Sequence, residues 1–517
     1  MKVSVIDLGF NSIKLVSYEI KKDDSTFKVC QQEGVKVKLG EGLDRTGYLG
    51  KEPIERTIQA LKRFQEIINF DGITQVLPVA TSAVREASNR NDFLKQAYVE
   101  AGFQFKVLTE QEEAFYSYVG AIESTCIPTS LFFDLGGGSL EFVYAENYGI
   151  KGVKSYSLGA LRLAQQFGRK DGTFSKKDYR IMKEHILDTL PNSKEFDLSP
   201  DTTLVGVGGT LRAIARYDQQ LRDYPLDKIH NYSIDYASLS SIAEKLYEMD
   251  ADQLAEIKAI GSNRTDTITA GARVIEMLMK KFDFNRIVVS AQGLREGILS
   301  AFIHDSKTFY NSSSRNNSLS NEKAKELLTF ACRAEMLPTY TAELIKPIVA
   351  AGLLREKERM ILAHAIKQKA RLPSITNLNN LFYMIMDEDN AFLSHREQLL
   401  LALSIVRTRK EKAADWLFSR YKPMLEPQNK KSIEKISACI ILSSLLEKTK
   451  AGVAMSINGK KIVMKITPMP SQFIPFLLYN NAINNFQRAF DVSIKYSIEQ
   501  VKLPALTKES RGHDNEE

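Results

Sequence analysis

Cysteine and histidine are scarce in this sequence, and their positions exclude two classes of site. The 517 residues contain four cysteines, and none of them is spaced like a zinc ligand: Cys30, Cys126, Cys332 and Cys439. We interpret them as buried thiols of a protein in a reducing cytoplasm. The six histidines also lack metal-ligand spacing. The sequence therefore predicts neither a zinc site nor a nucleophilic triad.

Long apolar runs are absent as well. The apolar segment Phe473–Leu478 is far shorter than the roughly 20 residues that a membrane-spanning helix needs. The sequence begins directly with a strand-like run, so no secretory leader is expected. There is also no low-complexity tract and no short-period repeat. We therefore expect a cytoplasmic protein with no membrane partner.

Length and charge indicate several domains and an anionic partner. At 517 residues the chain is too long for one hydrophobic core, and three or four domains are expected. Residues 306–517 carry 32 Lys and Arg against 21 Asp and Glu, whereas residues 1–305 carry 38 against 42. A basic C-terminal half is typical of a protein that binds a polyanion. A well-solvated helical surface has the same composition.

The order of predicted elements indicates two similar α/β halves followed by a helical region. In residues 1–125 and again in 130–300, strand-like runs alternate with helical patterns, as in two duplicated lobes with a ligand-binding crevice between them. The Asn458–Gly459 turn between alternating runs predicts a hairpin. The predicted boundaries are lobe I at 1–125, lobe II at 126–305 with a last helix that can return to lobe I, a Ser/Asn-rich linker at 306–320, a helical domain at 321–450 and a small α+β module at 451–517.

Two glycine-rich strand ends carry the strongest functional signal. Asp7–Ser12 and Asp134–Ser139 each follow an apolar strand, place an Asp at its end, turn through glycine and enter another strand. Glycine lets the backbone approach a ligand, and exposed N–H groups form an anion-binding concavity. Two facing copies would clasp a phosphate chain, with the Asp pair holding a divalent cation. One copy alone would favour an ordinary hairpin turn, but the repetition favours the clasp.

Thr109–Ala114 opens a helix with three acidic residues near its start. Thr109 can cap that helix, and an acidic first turn suits the helix dipole. We assign Glu110 to this stabilising role. A helix start that enters the crevice could also present one glutamate as general base to a water molecule.

Three other segments could bind an anion, and for each of them the same residues could also have a purely structural role. Ala80–Arg85 places hydroxyls and an arginine at a strand end, either as a phosphate contact or as a helix cap with a solvated arginine. Gly206–Thr210 is a phosphate-type loop at a helix N-terminus or a tight strand-to-helix connection. Gly293–Gly297 begins a helix whose Arg295 faces either the crevice or solvent.

Taken together and in this order, the motifs resemble the exopolyphosphatase and guanosine pentaphosphate phosphohydrolase (Ppx/GppA phosphatase) family of the actin/Hsp70/sugar-kinase superfamily. The resemblance is dense over about 300 residues and extends to the C-terminal part in layout only. The segments that carry it are Asp7–Ser12, Leu39–Leu43, Ala80–Arg85, Glu112–Ala114, Asp134–Glu141, Gly206–Thr210, Arg264–Asp266 with Gly271, and Leu294–Gly297.

The resemblance implies an α/β fold with two duplicated actin-like (ribonuclease H-like) lobes and an interlobe cleft. An all-α HD-like domain and a small C-terminal α+β module would follow. It also implies Mg²⁺ as cofactor, a homodimer, and inorganic polyphosphate as partner, with guanosine pentaphosphate or tetraphosphate as the alternative. No specific nucleic-acid partner is expected. Met386–Asn390 lacks the His-Asp pair of metal-binding HD domains, so no metal chemistry is expected there.

The resemblance also assigns roles to individual residues. Glu113 matches the catalytic base, with Glu112 beside it. The residues that match phosphate-binding positions are Asn11, Ser12, Arg85, Gly136, Gly137, Gly138, Ser139, Gly208, Gly209, Thr210 and Arg295. Those that match metal-binding positions are Asp134, Asp7 and Glu141. Three residues depart from the family pattern and bear on substrate preference more than on the reaction: Phe10, Lys14 and Phe115.

Several functions are compatible with this pattern. The primary prediction is an exopolyphosphatase that releases orthophosphate with Mg²⁺ and a Glu-activated water. The alternative enzyme removes the 5′ γ-phosphate of guanosine pentaphosphate. A non-catalytic sensor of alarmone or polyphosphate is less favoured, because Glu113, Asp134 and the triple glycine are intact. A sugar kinase of the same superfold is disfavoured because it needs ATP across the cleft and a base placed for a hydroxyl.

Overall fold

The computed structural model describes residues 1–20, 27–169, 171–192, 195–261, 264–304, 328, 337–371, 377–388, 393–469 and 474–499. The chain forms two compact units, one of residues 1–333 with 389–392 and the other of 334–388 with 393–517. The predicted linker at 306–320 lies outside the described residues. No helix in the described ranges is long and apolar enough to cross a membrane.

The first sheet of the larger unit has the strand order β3-β2-β1-β4-β5. Its strands are β1 (Lys2–Leu8), β2 (Ser12–Ile20), β3 (Phe27–Lys36), β4 (Gln75–Ala80) and β5 (Lys106–Val107). β2 is antiparallel to β1 and β3, whereas β1, β4 and β5 are parallel. β1 is central and its interior residues are buried. That position explains why its sequence is an apolar run rather than an alternation with charged residues.

The second sheet has the order β10-β11-β9-β6-β7-β8. Its strands are β6 (Ser130–Leu135), β7 (Leu140–Glu146), β8 (Gly149–Tyr156), β9 (Thr203–Val207), β10 (Tyr232–Asp235) and β11 (Arg286–Val289). β6, β7 and β8 repeat the antiparallel set of the first sheet, and β9 and β11 repeat its parallel pair. The predicted duplication is therefore present, with β10 added at one edge.

Helices connect these strands and cover the sheets. In the first half they are α1 (Leu43–Thr46), α2 (Lys51–Phe70), α3 (Ser82–Glu86), α4 (Arg90–Ala101) and α5 (Glu110–Thr125). In the second half they are α6 (Ala160–Phe167), α7 (Lys176–Thr189), α8 (Gly209–Leu221), α9 (Tyr236–Glu248), α10 (Ala251–Glu256), α11 (Ile268–Lys281) and α12 (Leu294–His304).

Helices α5 and α12 pack against each other and share one hydrophobic core with strands of both sheets. They approach so closely that neither crossing point has space for a side chain. A Cβ on Gly120 would lie 2.1 Å from the Gly293 carbonyl oxygen, and one on Gly297 would lie 1.8 Å from that of Tyr116. The crossing therefore fixes the N-termini of both helices relative to the two glycine-rich tips.

The smaller unit contains helices followed by a three-stranded sheet. The helical elements are α13 (Thr339–Ala350), α14 (Glu356–Arg371), α15 (Leu378–Asp387), α16 (His395–Arg407), α17 (Glu411–Arg420), a 3₁₀ turn (Lys422–Met424) and α18 (Asn429–Thr449). The predicted hairpin joins β12 (Gly452–Asn458) to β13 (Lys461–Thr467), and α19 (Phe476–Phe490) leads to β14 (Ser493–Ile498), which pairs parallel with β13. The likeness of this unit to an HD domain stays a prediction.

The cysteine prediction was wrong at one position. Cys126 and Cys439 are buried, but Cys30 is exposed. The reason is that Cys30 lies on β3, which is the edge strand of the first sheet. Cys332 lies outside the described residues.

Candidate active site

Both glycine-rich tips adopt the same hairpin turn. The Gly9 N–H donates to the Ser12 carbonyl oxygen, and the Gly136 N–H donates to that of Ser139, each with a donor–acceptor distance of 3.0 Å. The repeated sequence pattern therefore corresponds to one repeated backbone geometry.

Helix α6 orients the second tip. The first N–H groups of this helix donate to three tip carbonyls: Gly159 to Gly138, Ala160 to Gly136, and both Leu161 and Arg162 to Gly137. Because a trans peptide directs its N–H opposite to its carbonyl, the N–H groups of Gly137, Gly138 and Ser139 face away from α6. The first N–H groups of α6, which have no acceptor within the helix, thus bind the carbonyl oxygens of the tip. The N–H groups of the tip stay available for a ligand.

The two tips contact each other, which explains two of the three glycines of the second tip, Gly137 and Gly138. A Cβ on Gly138 would lie 2.5 Å from the Phe10 ring and 2.8 Å from Ser82 Oγ, and one on Gly137 would lie 3.2 Å from Asn11 Cβ. Phe10 is only 2% exposed. Phe10, where the family pattern has a small hydroxyl residue, is therefore the packing contact between the tips.

A third glycine loop approaches the same place. Gly208 has a φ of +120°, which favours glycine, and a Cβ there would lie 2.5 Å from the Leu135 carbonyl oxygen. α8 begins directly after it and has no side-chain cap. The N–H groups at the start of α8 can therefore bind an anion.

These loops and the starts of α5 and α12 enclose a cavity of about 170 Å³. Most of the predicted site residues line it: Asp7, Asn11, Ser12, Glu113, Asp134, Gly136, Gly137, Ser139, Glu141, Gly208, Gly209, Thr210 and Arg295. Glu112, Arg85 and Gly138 are outside the lining. The structure thus brings together residues from five separate segments of the chain.

Glu113 is the carboxylate of α5 that lines the cavity. Its Oε2 accepts a hydrogen bond from Arg85 Nη1 at 2.8 Å, and Arg85 also donates to the Leu108 carbonyl oxygen. Burial raises the pKa of Glu113 to about 7, against the lowering effect of the Arg85 charge. Arg85 therefore acts on the cavity through Glu113, and Glu113 has the proton affinity that suits a general base near neutral pH.

Glu112 caps the helix instead. The Glu112 N–H donates to Thr109 Oγ1, the Thr109 N–H donates to Glu112 Oε2, and Lys106 Nζ lies 3.1 Å from Glu112 Oε1. This is a capping box, which places its acidic residue three positions after the cap. Thr109 is the cap, as predicted, and Glu110 lies in the acidic first turn to which we assigned it.

Two further carboxylates line the cavity together with Glu113, of which Glu141 is buried and Asp134 is partly buried. Ser117 Oγ donates to Asp134 Oδ2 at 2.8 Å, and Ser155 Oγ donates to Glu141 Oε1 at 3.2 Å. Burial raises the pKa of Asp134, and burial followed by the charges of Glu113 and Asp134 raises the pKa of Glu141 well above its usual range. A cation bound here would stabilise the ionised forms.

The predicted Mg²⁺ ligands fit a site that the substrate completes. Within the described residues, no group of three or more His, Cys, Asp or Glu side chains is close enough to hold a metal ion by itself. Mg²⁺ commonly takes only one or two protein carboxylates, together with phosphate oxygens and water. Asp7, Asp134 and Glu141 line the same cavity and can supply those carboxylates. Mg²⁺ binding stays a prediction.

Replacing Glu141 with glutamine is expected to stabilise the protein above neutral pH. Because the pKa of Glu141 is raised in the folded state, the native protein loses stability as pH rises above the unfolded-state pKa. Glutamine keeps the size of the side chain without its charge. We expect a melting temperature about 2–4 °C above that of the wild type near pH 8 and no difference near pH 4, measured by calorimetry. Equal melting temperatures near pH 8 would contradict this account of Glu141.

Four cationic side chains also line the cavity: Lys14, Arg212, Arg264 and Arg295. Burial and the charges of Arg295 and Arg212 lower the pKa of Lys14 to about 7. Burial, followed by the Arg295 charge, lowers the pKa of Arg212 to about 10. Partly buried cations that repel one another are stabilised by an anionic ligand, so this wall suits a polyanion.

Sequence reasoning missed the roles of Lys14 and Arg212. Lys14 was noted only as a departure from the family pattern, although a lysine inside the apolar run of β2 is itself unusual. Arg212 lies in the first turn of α8, where a cation opposes the helix dipole. Such an unfavourable placement was the available signal for an anionic ligand.

Comparison with known proteins agrees with the resemblance. Residues 19–305 match the Ppx/GppA phosphatase family. The chain is 30% identical over 315 residues to exopolyphosphatase 2 of Mycobacterium tuberculosis, which covers 57% of this chain and 97% of that protein. It is 28% identical over 295 residues to a bifunctional 3-dehydroquinate synthase/phosphatase of Fusobacterium nucleatum, covering 55% of this chain and only 44% of that longer protein.

A solved structure supports the same fold. The crystal structure of an exopolyphosphatase from Cytophaga hutchinsonii matches with a TM-score of 0.54 and 25% identity, over 59% of this chain and 98% of that chain. The predicted actin-like α/β fold is therefore confirmed. The family match ends at residue 305, next to the C-terminal end of α12.

Proposed function

Because the chain belongs to the Ppx/GppA phosphatase family, we propose that it is an exopolyphosphatase that hydrolyses the terminal phosphoanhydride of inorganic polyphosphate and releases orthophosphate. One observation carries the proposal: Glu113 and four cationic side chains line one cavity together with three glycine loops. Phosphoryl transfer depends on positioning and on neutralisation of charge, and this set of groups supplies both.

The terminal phosphoryl group binds to the donors of the cavity. The N–H groups of the second glycine tip and of the start of α8 face the phosphate oxygens. Arg212 and Arg295 add guanidinium donors, whose hydrogen bonds to an anion are short and strong. The same cations offset the negative charge that develops on the departing chain.

Glu113 accepts the proton of the attacking water. Arg85 Nη1 holds the Oε2 atom of Glu113, which leaves Oε1 for the water. The water oxygen bonds to the terminal phosphorus, and the bond from that phosphorus to the bridging oxygen breaks. Asp7, Asp134 and Glu141 would hold Mg²⁺, which would supply further neutralisation of phosphate charge.

The cavity has room for the phosphoryl groups of either candidate substrate. Its volume of about 170 Å³ is below the roughly 300–1,000 Å³ of pockets that enclose drug-sized ligands. Phosphoryl groups are small enough to enter, whereas a guanosine group would stay outside. Guanosine pentaphosphate is the alternative substrate, because its 5′ end presents the same phosphoryl groups.

Orthophosphate release by the purified protein tests the proposal. Long-chain polyphosphate and guanosine pentaphosphate are offered separately with Mg²⁺, and Glu113→Gln is the control. Release from polyphosphate that is lost in the variant supports the proposal. Release from the nucleotide alone would establish the alternative, and binding of either ligand without release would indicate a sensor.

The pH dependence of kcat/KM is expected to be bell-shaped with a maximum near pH 7. The rate rises with pH as Glu113 loses its proton, because its pKa is raised to about 7 by burial. The rate falls again at higher pH because Lys14, whose pKa is lowered to about 7 by burial and neighbouring cations, loses its charge. In the Lys14→Arg variant the alkaline limb should disappear, since arginine stays charged. An unchanged alkaline limb in that variant would exclude Lys14 as its cause.

A further inference from the structure

Glu296 and Tyr18 form a buried hydrogen-bonded pair that the proposed reaction does not use. Tyr18 lies on β2 and is fully buried, and its hydroxyl donates to Glu296 Oε1 at 2.6 Å. The other carboxylate oxygen, Oε2, accepts from the Gly293 N–H at 2.9 Å. Neither Tyr18 nor Glu296 lines the cavity. The pair thus joins the first sheet to the turn that begins α12.

Arg295 is the group that this pair supports. Arg295 lies just after the turn at Gly293 and lines the cavity. Its Nη1 atom is buried with no hydrogen-bond partner among the described residues. Lys14, Arg212 and Arg264 line the same cavity. Burial acts to lower the pKa of Arg295, but the Glu296 charge, followed by that of Asp7, raises it overall. Glu296 therefore contributes the largest favourable charge to a guanidinium that lines the cavity together with other cations.

We propose that Tyr18 and Glu296 are positioning residues that hold Arg295 in the cavity for the phosphate chain. The identity of the ligand rests on the proposed function. The Gly293 bond fixes the backbone of the turn, and the Tyr18 hydroxyl fixes the carboxylate that makes this bond. Hydrogen bonds from both sides to an ionised carboxylate are strong and directional, so they set its position closely.

Removing the Tyr18 hydroxyl leaves the ring and most of the packing in place. In Tyr18→Phe, one buried carboxylate oxygen of Glu296 loses its donor, and this oxygen can regain a partner only if the carboxylate moves. Movement of Glu296 shifts the turn at Gly293 and the Arg295 side chain with it. Tyr18→Phe should therefore bind phosphate chains more weakly than the wild type. This loss of affinity should depend on the presence of Arg295.

A double-mutant cycle tests this dependence. Binding of inorganic triphosphate is measured by calorimetry without divalent cations, for the wild type, Tyr18→Phe, Arg295→Ala and the double variant. Tyr18→Phe is expected to weaken binding roughly 3- to 10-fold in the wild-type background and to have no effect in the Arg295→Ala background. The control is Tyr118→Phe, which removes a hydroxyl from the same hydrophobic core and should leave binding unchanged.

An equal loss of affinity in both backgrounds, or no loss in either, would overturn the proposal. If Tyr18→Phe does not fold, Glu296→Gln replaces it in the cycle, with the same dependence on Arg295 expected. The binding measurement does not require turnover. A protein that shows this pattern but releases no orthophosphate would therefore support the role of the pair and refute the proposed hydrolysis.

Discussion

Replacing Glu113 with glutamine is expected to lower kcat for orthophosphate release by about 10²–10⁴-fold, with KM changed only a few-fold. Glutamine is close to isosteric with glutamate and can still accept a hydrogen bond from Arg85, so the cavity keeps its shape. It cannot accept the proton of the attacking water. The loss therefore falls on the chemical step, and steady-state kinetics at saturating polyphosphate measures it.

Glu112→Gln is the matched comparison, because the two glutamates are adjacent in sequence and differ in placement. Glutamine is also favoured at the third position of a capping box, so α5 keeps its start. Activity close to that of the wild type is expected. If Glu112→Gln lost more activity than Glu113→Gln, the assignment of the base would have to be exchanged between them.

Adding one methyl group at the crossing of α5 and α12 is expected to have the second-largest effect. In Gly297→Ala the new Cβ would lie 1.8 Å from the Tyr116 carbonyl oxygen, so the helices must separate. Overpacking of this kind costs about 1–3 kcal/mol of folding free energy. Because Glu113 lies at the start of α5 and Arg295 at the start of α12, the separation also moves the base relative to the phosphate. A displacement of about 1 Å can lower the rate 10²-fold.

Calorimetry and kcat/KM, measured well below the melting temperature, separate the two consequences of Gly297→Ala. Gly152→Ala on β8 is the control, because its Cβ would have its nearest neighbour at 3.9 Å, an ordinary contact distance. That variant should keep both stability and activity. Full activity of folded Gly297→Ala would mean that the helix crossing does not set the geometry of the site.

The two glycine-rich tips could be predicted from sequence because a hairpin turn depends on residues that are close together in the sequence. An Asp at a strand end, a glycine turn and a second strand require only near neighbours, and the structure shows the same hydrogen bond in both copies. The start of α5 was equally local: Thr109 caps the helix and Glu110 lies in its acidic first turn, both as predicted.

The partners of buried charges could not be predicted in this way. Arg85 and Glu113 are 28 residues apart in sequence, but Arg85 Nη1 lies 2.8 Å from Glu113 Oε2, and only the tertiary structure brings them together. Tyr18 and Glu296 are separated by 278 residues. Such pairs depend on how helices and strands pack in three dimensions, which composition, periodicity and spacing do not determine.

The central claim is that water activated by Glu113 attacks the terminal phosphorus of a polyphosphate chain. A single turnover in water enriched in oxygen-18, followed by mass spectrometry of the products, tests it most directly. The account predicts one water-derived oxygen in the released orthophosphate and none in the shortened chain, with turnover lost in Glu113→Gln. Label at the new end of the shortened chain would show that water attacked the penultimate phosphorus, and would contradict the account.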